Sequence, residues 1–322
     1  MGFAAWLRGL RGRPDVAAPG GEAPAAVDLI FGAPARSASR DARGDARGME
    51  LAARRGTVVI IGNCVAETVA DCLAGEPLAA GAFRFVGVPT HQKPLDGADV
   101  QSALAVASHV FVQSCAAKLL PAVVQAAPAD AAIIRFPDPV LRSLWPFDAQ
   151  NGYGDAAVVA GEHAVIRHPD GALALLRGVE PDKRKRFELY RDLNFEMARG
   201  IERIAAAQRR FQAKMDEGNE AELGGFMAAR FADTQLFYNS THPAPAVFQS
   251  LCEFFWRKLE LSGRLPLLQG LDRWRDWSVP VHPAVARRLG ADWVNEKTRY
   301  RYCTLGDVTW EEWVRAYIEM CG

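Results

Sequence analysis

The 322 residues are 49% hydrophobic and 24% charged, enough for one large globular domain or two modest ones. Lys and Arg total 38 and so do Asp and Glu, so no global field argues for nucleic acid as a partner. The six cysteines (Cys64, Cys72, Cys115, Cys252, Cys303 and Cys321) form no Cys-x-x-Cys pair, which argues against zinc and thioredoxin-type centres, and no apolar run approaches transmembrane length.

Residues 1–55 read as a disordered, mildly basic leader dominated by Ala, Gly, Pro and Arg. Within it Phe3, Trp6, Leu7 and Leu10, beside Arg8, Arg11 and Arg13, have the spacing of a short amphipathic helix. Weak docking on a membrane surface through residues 3–13 competes there with a frayed terminus. No signal peptide precedes the core, so cytoplasmic residence with reduced thiols is expected.

Residues 56–322 are expected to form a single α/β domain. A short parallel sheet occupies residues 56–147, and residues 182–322 are helix-rich. Strands are predicted at 57–61, 82–88, 109–113 and 131–136, with a helix over 116–126. Their carboxyl ends carry Gly62-Asn63-Cys64, Gln113-Ser114 and Pro137-Asp138, where sheets of this kind gather functional groups. Residues 148–180 are ambiguous: 158–160, 164–166 and 172–176 read as short strands or as a hairpin around His168-Pro169-Asp170-Gly171. Helices are expected over 187–216, 220–231, 246–261 and 283–289, with a strand-like stretch at 234–238. Thr309-Trp310-Glu311-Glu312 has the form of an N-cap for a last helix over 313–320.

The chemistry concentrates at the first strand end. A β-branched run stops at Gly62-Asn63-Cys64, and Val65, Val69, Cys72 and Leu73 at once take up helical spacing. A thiol at a helix N-terminus is favoured as thiolate, and the N–H groups there suit an oxyanion. The competing reading makes Cys64 a small buried residue at a tight turn. A thiol nucleophile needs a base and a group to orient it. His242 is the best placed of six histidines, with Asn239 three residues before it in a polar turn; the competing reading makes it a cap for the next helix. His282, before Pro283, shares that ambiguity. The run Lys183-Arg184-Lys185-Arg186 opposes the dipole of the helix it begins and is expected to be a solvated face. Arg287, Arg288, Arg299 and Arg301 are weak phosphate-binding candidates, and no Walker-type or dinucleotide-binding loop exists.

The Gly62-Asn63-Cys64 corner, the Phe111-Val112-Gln113 strand end, the 235–243 turn, the 279–290 segment and the closing Trp310-Glu311-Glu312-Trp313-Val314-Arg315-Ala316-Tyr317-Ile318 together resemble the WcbI polysaccharide-biosynthesis enzymes, in order from Thr57 to Ile318. That family is associated with capsule biosynthesis and coenzyme A binding, and is regarded as acetyltransferase-like with an SGNH-type corner. The resemblance places Cys64, Gln113 and His242 on family positions. Val65 stands where the family has Gln after the cysteine, and Thr241 where it often has Asn before His-Pro, so Asn63 or Asn239 would have to supply those amides.

The expected function is then a coenzyme A-dependent acyltransferase, acetyl-coenzyme A being the donor and a sugar or glycan precursor the acceptor, with no metal. Cys64, His242, Asn63, Gln113 and Asn239 would carry the chemistry. Arg287, Arg288, Arg299 and Arg301, with His282, would hold the coenzyme. An esterase or thioesterase on the same fold, and a non-catalytic glycan-binding module, are the alternatives; Trp310 and Trp313 are aromatic enough for sugar stacking but suit packing better.

Overall fold

Four β-branched or aromatic runs build the sheet. In the computed structural model, which describes residues 55–149, 166–192, 195–215, 217 and 221–321, they are β1 (Gly56–Gly62), β2 (Phe83–Pro89), β3 (Ala107–Gln113) and β4 (Ala132–Phe136). All are parallel, in the order β2-β1-β3-β4. The register aligns their carboxyl ends: Gly62 lies opposite Pro89, Ile61 opposite Val112, and Gln113 opposite Phe136. Parallel pairing demands crossover connections. These are α1 (Cys64–Gly75) with α2 (Pro77–Ala82), then α3 (Ala98–Leu104), then a 3-10 turn (Ser114–Leu119) running into α4 (Leu120–Ala126). The expected α/β class with its sheet in the N-terminal half is therefore observed. The helix predicted at 116–126 begins as the tighter 3-10 turn.

Each face of the sheet is covered. On one, Val59, Ile61, Val110 and Val112 pack with Val100 and Leu104 of α3 and Val123 of α4. On the other, Phe111 and Phe136 meet Phe255, with ring centroids 4.2 and 5.2 Å apart. Phe255 belongs to α9 (Pro245–Lys258), which follows α5 (Gly171–Val179), α6 (Lys183–Arg191), α7 (Phe195–Met215) and α8 (Leu223–Arg230). Burying such aromatics contributes about 1.5–3 kcal/mol each, so the C-terminal helices are a structural half of the sheet's own core. After α9 come α10 (Pro283–Leu289), a small hairpin of β5 (Tyr300–Tyr302) and β6 (Gly306–Val308), and α11 (Trp310–Cys321). The capping box read from Thr309 and Glu312 is present: Glu312 N donates to Thr309 Oγ1, and Thr309 N to Glu312 Oε2 at 2.7 Å.

Several expectations are corrected. Residues 172–176 are not a strand but lie within α5, because Asp170 Oδ1 accepts from Ala172 N and Leu173 N and starts a helix. The single helix expected over 187–216 is two, α6 and α7, and α6 already ends at Arg191. Its basic start is offset by Asp182, whose side chain caps Lys185 N, and by ion pairs from Lys183 to Glu319 and Arg184 to Glu188. The strand-like 234–238 stretch makes only one bridge, Phe237 to Pro243. Trp310 and Trp313 are buried packing residues. Residues 1–54 of the leader, with its 3–13 helix, and the 158–160 strand lie outside the described residues. Among the described residues no helix is long and apolar enough to cross a membrane.

Candidate functional site

The corner at the end of β1 is built from three strand ends. Asn63 leaves β1 in extended conformation and caps α1, its Oδ1 accepting from Val65 N at 2.9 Å. Gln113, at the end of β3 and fully buried, accepts from Asn63 N through Oε1 at 2.8 Å. Asp138, just past β4, accepts from Asn63 Nδ2 at 2.9 Å and from Gln113 Nε2 at 3.0 Å, both on Oδ1. Gly62 makes this possible: a Cβ there would sit 2.1 Å from Gln113 Oε1 and 2.7 Å from Gln113 Cβ. The sequence expectation placed Asn63, Cys64 and Gln113 at one site, and the structure joins the first and last directly. Asp138 was read as a strand end only. Nothing local marks it, since its two partners lie 75 and 25 residues away.

The electrostatics overturn one expectation. Cys64 is not poised as a thiolate: burial first, then the Asp138 carboxylate, push it up to about 11. The backbone N–H groups of Cys64 and Val65 and the Arg273 guanidinium act in the opposite sense and lose to desolvation. Asp138 itself is raised to about 6, by burial against the Asn63 hydrogen bond. Cys115 flanks the corner, its Sγ 3.5 Å from Gln113 Oε1, and burial pushes it up to about 12. Of the expected oxyanion donors, the Cys64 N–H faces the thiol, while the others are engaged within the corner. Asn63 N is taken by Gln113, Val65 N by Asn63, and the Asn63 amide by Asp138.

His242 lies at the tip of a tight turn in which Tyr238 N donates to His242 O at 2.9 Å and Ala244 N to Leu236 O at 2.8 Å. The fully buried Asn239 organises this turn, as its spacing suggested. Its Oδ1 accepts from Thr241 N and His242 N, and stands 3.0 Å from His242 Nδ1. Its Nδ2 donates to Trp277 O, which fixes the amide's orientation. Nδ1 of His242 thus carries the proton, and Nε2 presents a lone pair. Burial, then His168, push His242 down to about 3; Asp148 pulls it up. His168 stands edge-on to His242 at 5.4 Å, held in the left-handed region at φ 57°, with Nδ1 3.7 Å from Asp148 Oδ2. No motif marks His168 in the sequence.

The bonds and ring contacts of His242 run to Asn239, His168, Trp274 and Trp277, and none reaches Cys64. The two halves are tied through the 138–141 strap, where Leu141 N donates to Ser240 O, and through Arg273, whose charge acts on Cys64 and which lies 5.9 Å from the Trp274 ring.

The coenzyme candidates lie apart from the corner. His282 spends both ring nitrogens on structure: Nδ1 accepts from Ala284 N at the start of α10, and Nε2 meets Tyr190 O at 3.0 Å. The capping reading holds for His282, and no ring nitrogen remains for a ligand. Arg288 pairs with Glu202, Arg299 with Glu312, and Arg301 with Asp276. Arg287 stands on α10, where its charge acts on His282. The cations whose charges reach the corner are others, Arg273 at Cys64 and Arg142 at Asp138, while Lys93 acts two turns along α1 at Asp71.

A family model described as polysaccharide biosynthesis enzyme WcbI matches residues 57–264. Among solved structures, one similar chain is described as WcbI, a novel polysaccharide biosynthesis enzyme, in a native form without a disulfide bond between coenzyme A and one of its cysteines. It shares the fold at a TM-score of 0.58 and 14% identity, over 83% of this chain and 90% of that one. No curated protein matches the sequence.

Proposed function

This chain belongs to the WcbI family of polysaccharide-biosynthesis enzymes, and we propose that it transfers an acyl group from a coenzyme A thioester to a sugar hydroxyl. The observation that carries the reading is the seat of Cys64: a thiol at the N-terminus of α1, at a corner held rigid by Asn63, Gln113 and Asp138. The burial that opposes a thiolate there favours the neutral thioester that acyl transfer would create.

In this mechanism the Cys64 sulfur attacks the thioester carbonyl of the donor. The bond to the coenzyme sulfur breaks, and the thiol proton leaves with it. The acceptor hydroxyl then attacks the Cys64 thioester and gives its proton to Nε2 of His242. As the bond to the Cys64 sulfur breaks, that same proton passes from Nε2 to the departing sulfur, so Cys64 leaves as the thiol and His242 returns to neutral. Asn239 keeps the proton on Nδ1, and the Asp148 carboxylate offsets the imidazolium charge. Arg142 supplies a cation for the coenzyme phosphates beside the corner. A cytoplasmic setting, where acyl-coenzyme A is made, fits this reading.

Calorimetric titration with coenzyme A and acetyl-coenzyme A tests it. Saturable binding of both, retained in Cys64→Ala, is expected; no binding of either would overturn the coenzyme assignment. The raised Cys64 pKa favours a second reading, a glycan-binding module without chemistry. It predicts sugar binding with no acyl-enzyme.

A further inference from the structure

A groove of about 400 Å3 runs along α1 on the flank that Cys64 heads. Its α1 wall is Thr68, Asp71, Cys72 and Gly75. Counted from Cys64 these are positions i+4, i+7, i+8 and i+11, one stripe of an α-helix. Cys64 stands one turn before Thr68 on that same stripe, just beyond the end of the groove's lining, and Thr68 Oγ1 donates to Cys64 O at 3.1 Å. From Thr68 to Gly75 the wall runs about 10 Å at 1.5 Å per residue. The facing wall is Pro266 to Gly270, tied down by Cys72 Sγ to Gln269 O and by Leu268 N to Gln249 Oε1.

Polarity is graded along this groove. Arg273 stands at the Cys64 end, paired with Glu67 and Asp71. Beyond it the walls are Cys72, Pro77, Pro266, Leu267 and Leu268. Among the described residues, the charged lining residue at the far end is Glu76, whose carboxylate is buried and spent on capping Ala79 N. A pantetheine arm laid here would bring its phosphates to a wall with a carboxylate and no cation. A sugar would set its hydroxyls against leucine and proline. A neutral hydrocarbon chain meets neither cost.

We propose that this groove holds the hydrocarbon tail of the transferred acyl group, so that the donor is a medium-chain acyl-coenzyme A rather than acetyl-coenzyme A. The inference rests on the acyltransferase reading and adds its substrate class. The tail lies down the α1 flank from the Cys64 thioester, while the coenzyme leaves the corner toward Arg142. No new bond is involved: the thioester to Cys64 forms as that to the coenzyme breaks.

The test follows acylation of Cys64 by intact-protein mass spectrometry, with octanoyl- and acetyl-coenzyme A as donors and no acceptor. Octanoyl is expected to react at least about tenfold faster, since each methylene seated in such a groove is worth about tenfold or more. Leu268→Trp, which fills the groove, and Leu267→Asp, which charges its exposed wall, should each lower the octanoyl-to-acetyl rate ratio about tenfold. Leu267 is 78% exposed, so its variant tests the groove without disturbing the core. Equal rates for the two donors, or a ratio unmoved by Leu267→Asp, would overturn the inference while acetylation of Cys64 left the acyltransferase reading intact. Failure of both donors to acylate Cys64 would overturn both.

Discussion

Replacing Gln113 by leucine removes the side chain that joins all three strand ends while keeping their volume. Asn63 N loses its acceptor at 2.8 Å, and Asp138 loses one of its two donors at 3.0 Å. A buried N–H left without a partner costs about 1–3 kcal/mol, and a hydrogen bond to a charged group contributes about 1.5–3 kcal/mol. Burial of the extra apolar surface returns part of this, which leaves a net loss of about 3 kcal/mol. For a domain of this size that lowers Tm by roughly 6–10 °C. Thermal and urea unfolding followed by circular dichroism, beside coenzyme A titration, would measure it. Stability within about 0.5 kcal/mol of the parent, with coenzyme binding unchanged, would show that Gln113 does not hold the corner.

Asp138→Asn should accelerate alkylation of Cys64 by iodoacetamide by up to about tenfold, because it removes a carboxylate that raises the thiol while keeping an acceptor for Asn63. The gain should shrink as pH falls through about 6, where Asp138 itself becomes neutral. Asn239→Ala should lower kcat by about a hundredfold with donor KM unchanged, since the proton on Nδ1 of His242 loses its acceptor. Asp170 is pushed up to about 7 by burial, so the folded protein keeps a proton there that the unfolded chain has released. Its stabilising contribution is full below about pH 4 and is lost as pH rises through about 7. His242 and His282, pushed down to about 3 and about 4, contribute stability that is present above about pH 6.5 and lost below it. Between about pH 8 and about pH 6.5 proton uptake by Asp170 in the folded protein and by these histidines in the unfolded chain nearly offset each other, so the urea midpoint should stay almost flat. Asp170→Asn should make the midpoint fall on acidification over that range.

The strands were legible because Thr57-Val58-Val59-Ile60-Ile61 and its counterparts are short, β-branched and bounded by turn residues. The Asn239–His242 pairing was legible too, because it is made within one turn. What the sequence concealed depends on chain folding over long separations. Asp138 and Arg273 reach Cys64 only through strand order and the return of the C-terminal half, and the dipole argument at Cys64 could not foresee that burial would outweigh it. The 171–179 helix was hidden by a short apolar run whose period is indistinct, although Asp170 was a readable cap. Arg288, Arg299 and Arg301 each pair with a surface carboxylate whose position depends on the folded chain and not on the local sequence.

The central claim is that Cys64 carries the acyl group. Intact-protein mass spectrometry after brief incubation with acyl-coenzyme A, on wild type and Cys64→Ala side by side, tests it most directly. One acyl group on the wild type and none on the variant is the predicted result. An unmodified wild type, or equal modification of the variant, would contradict it.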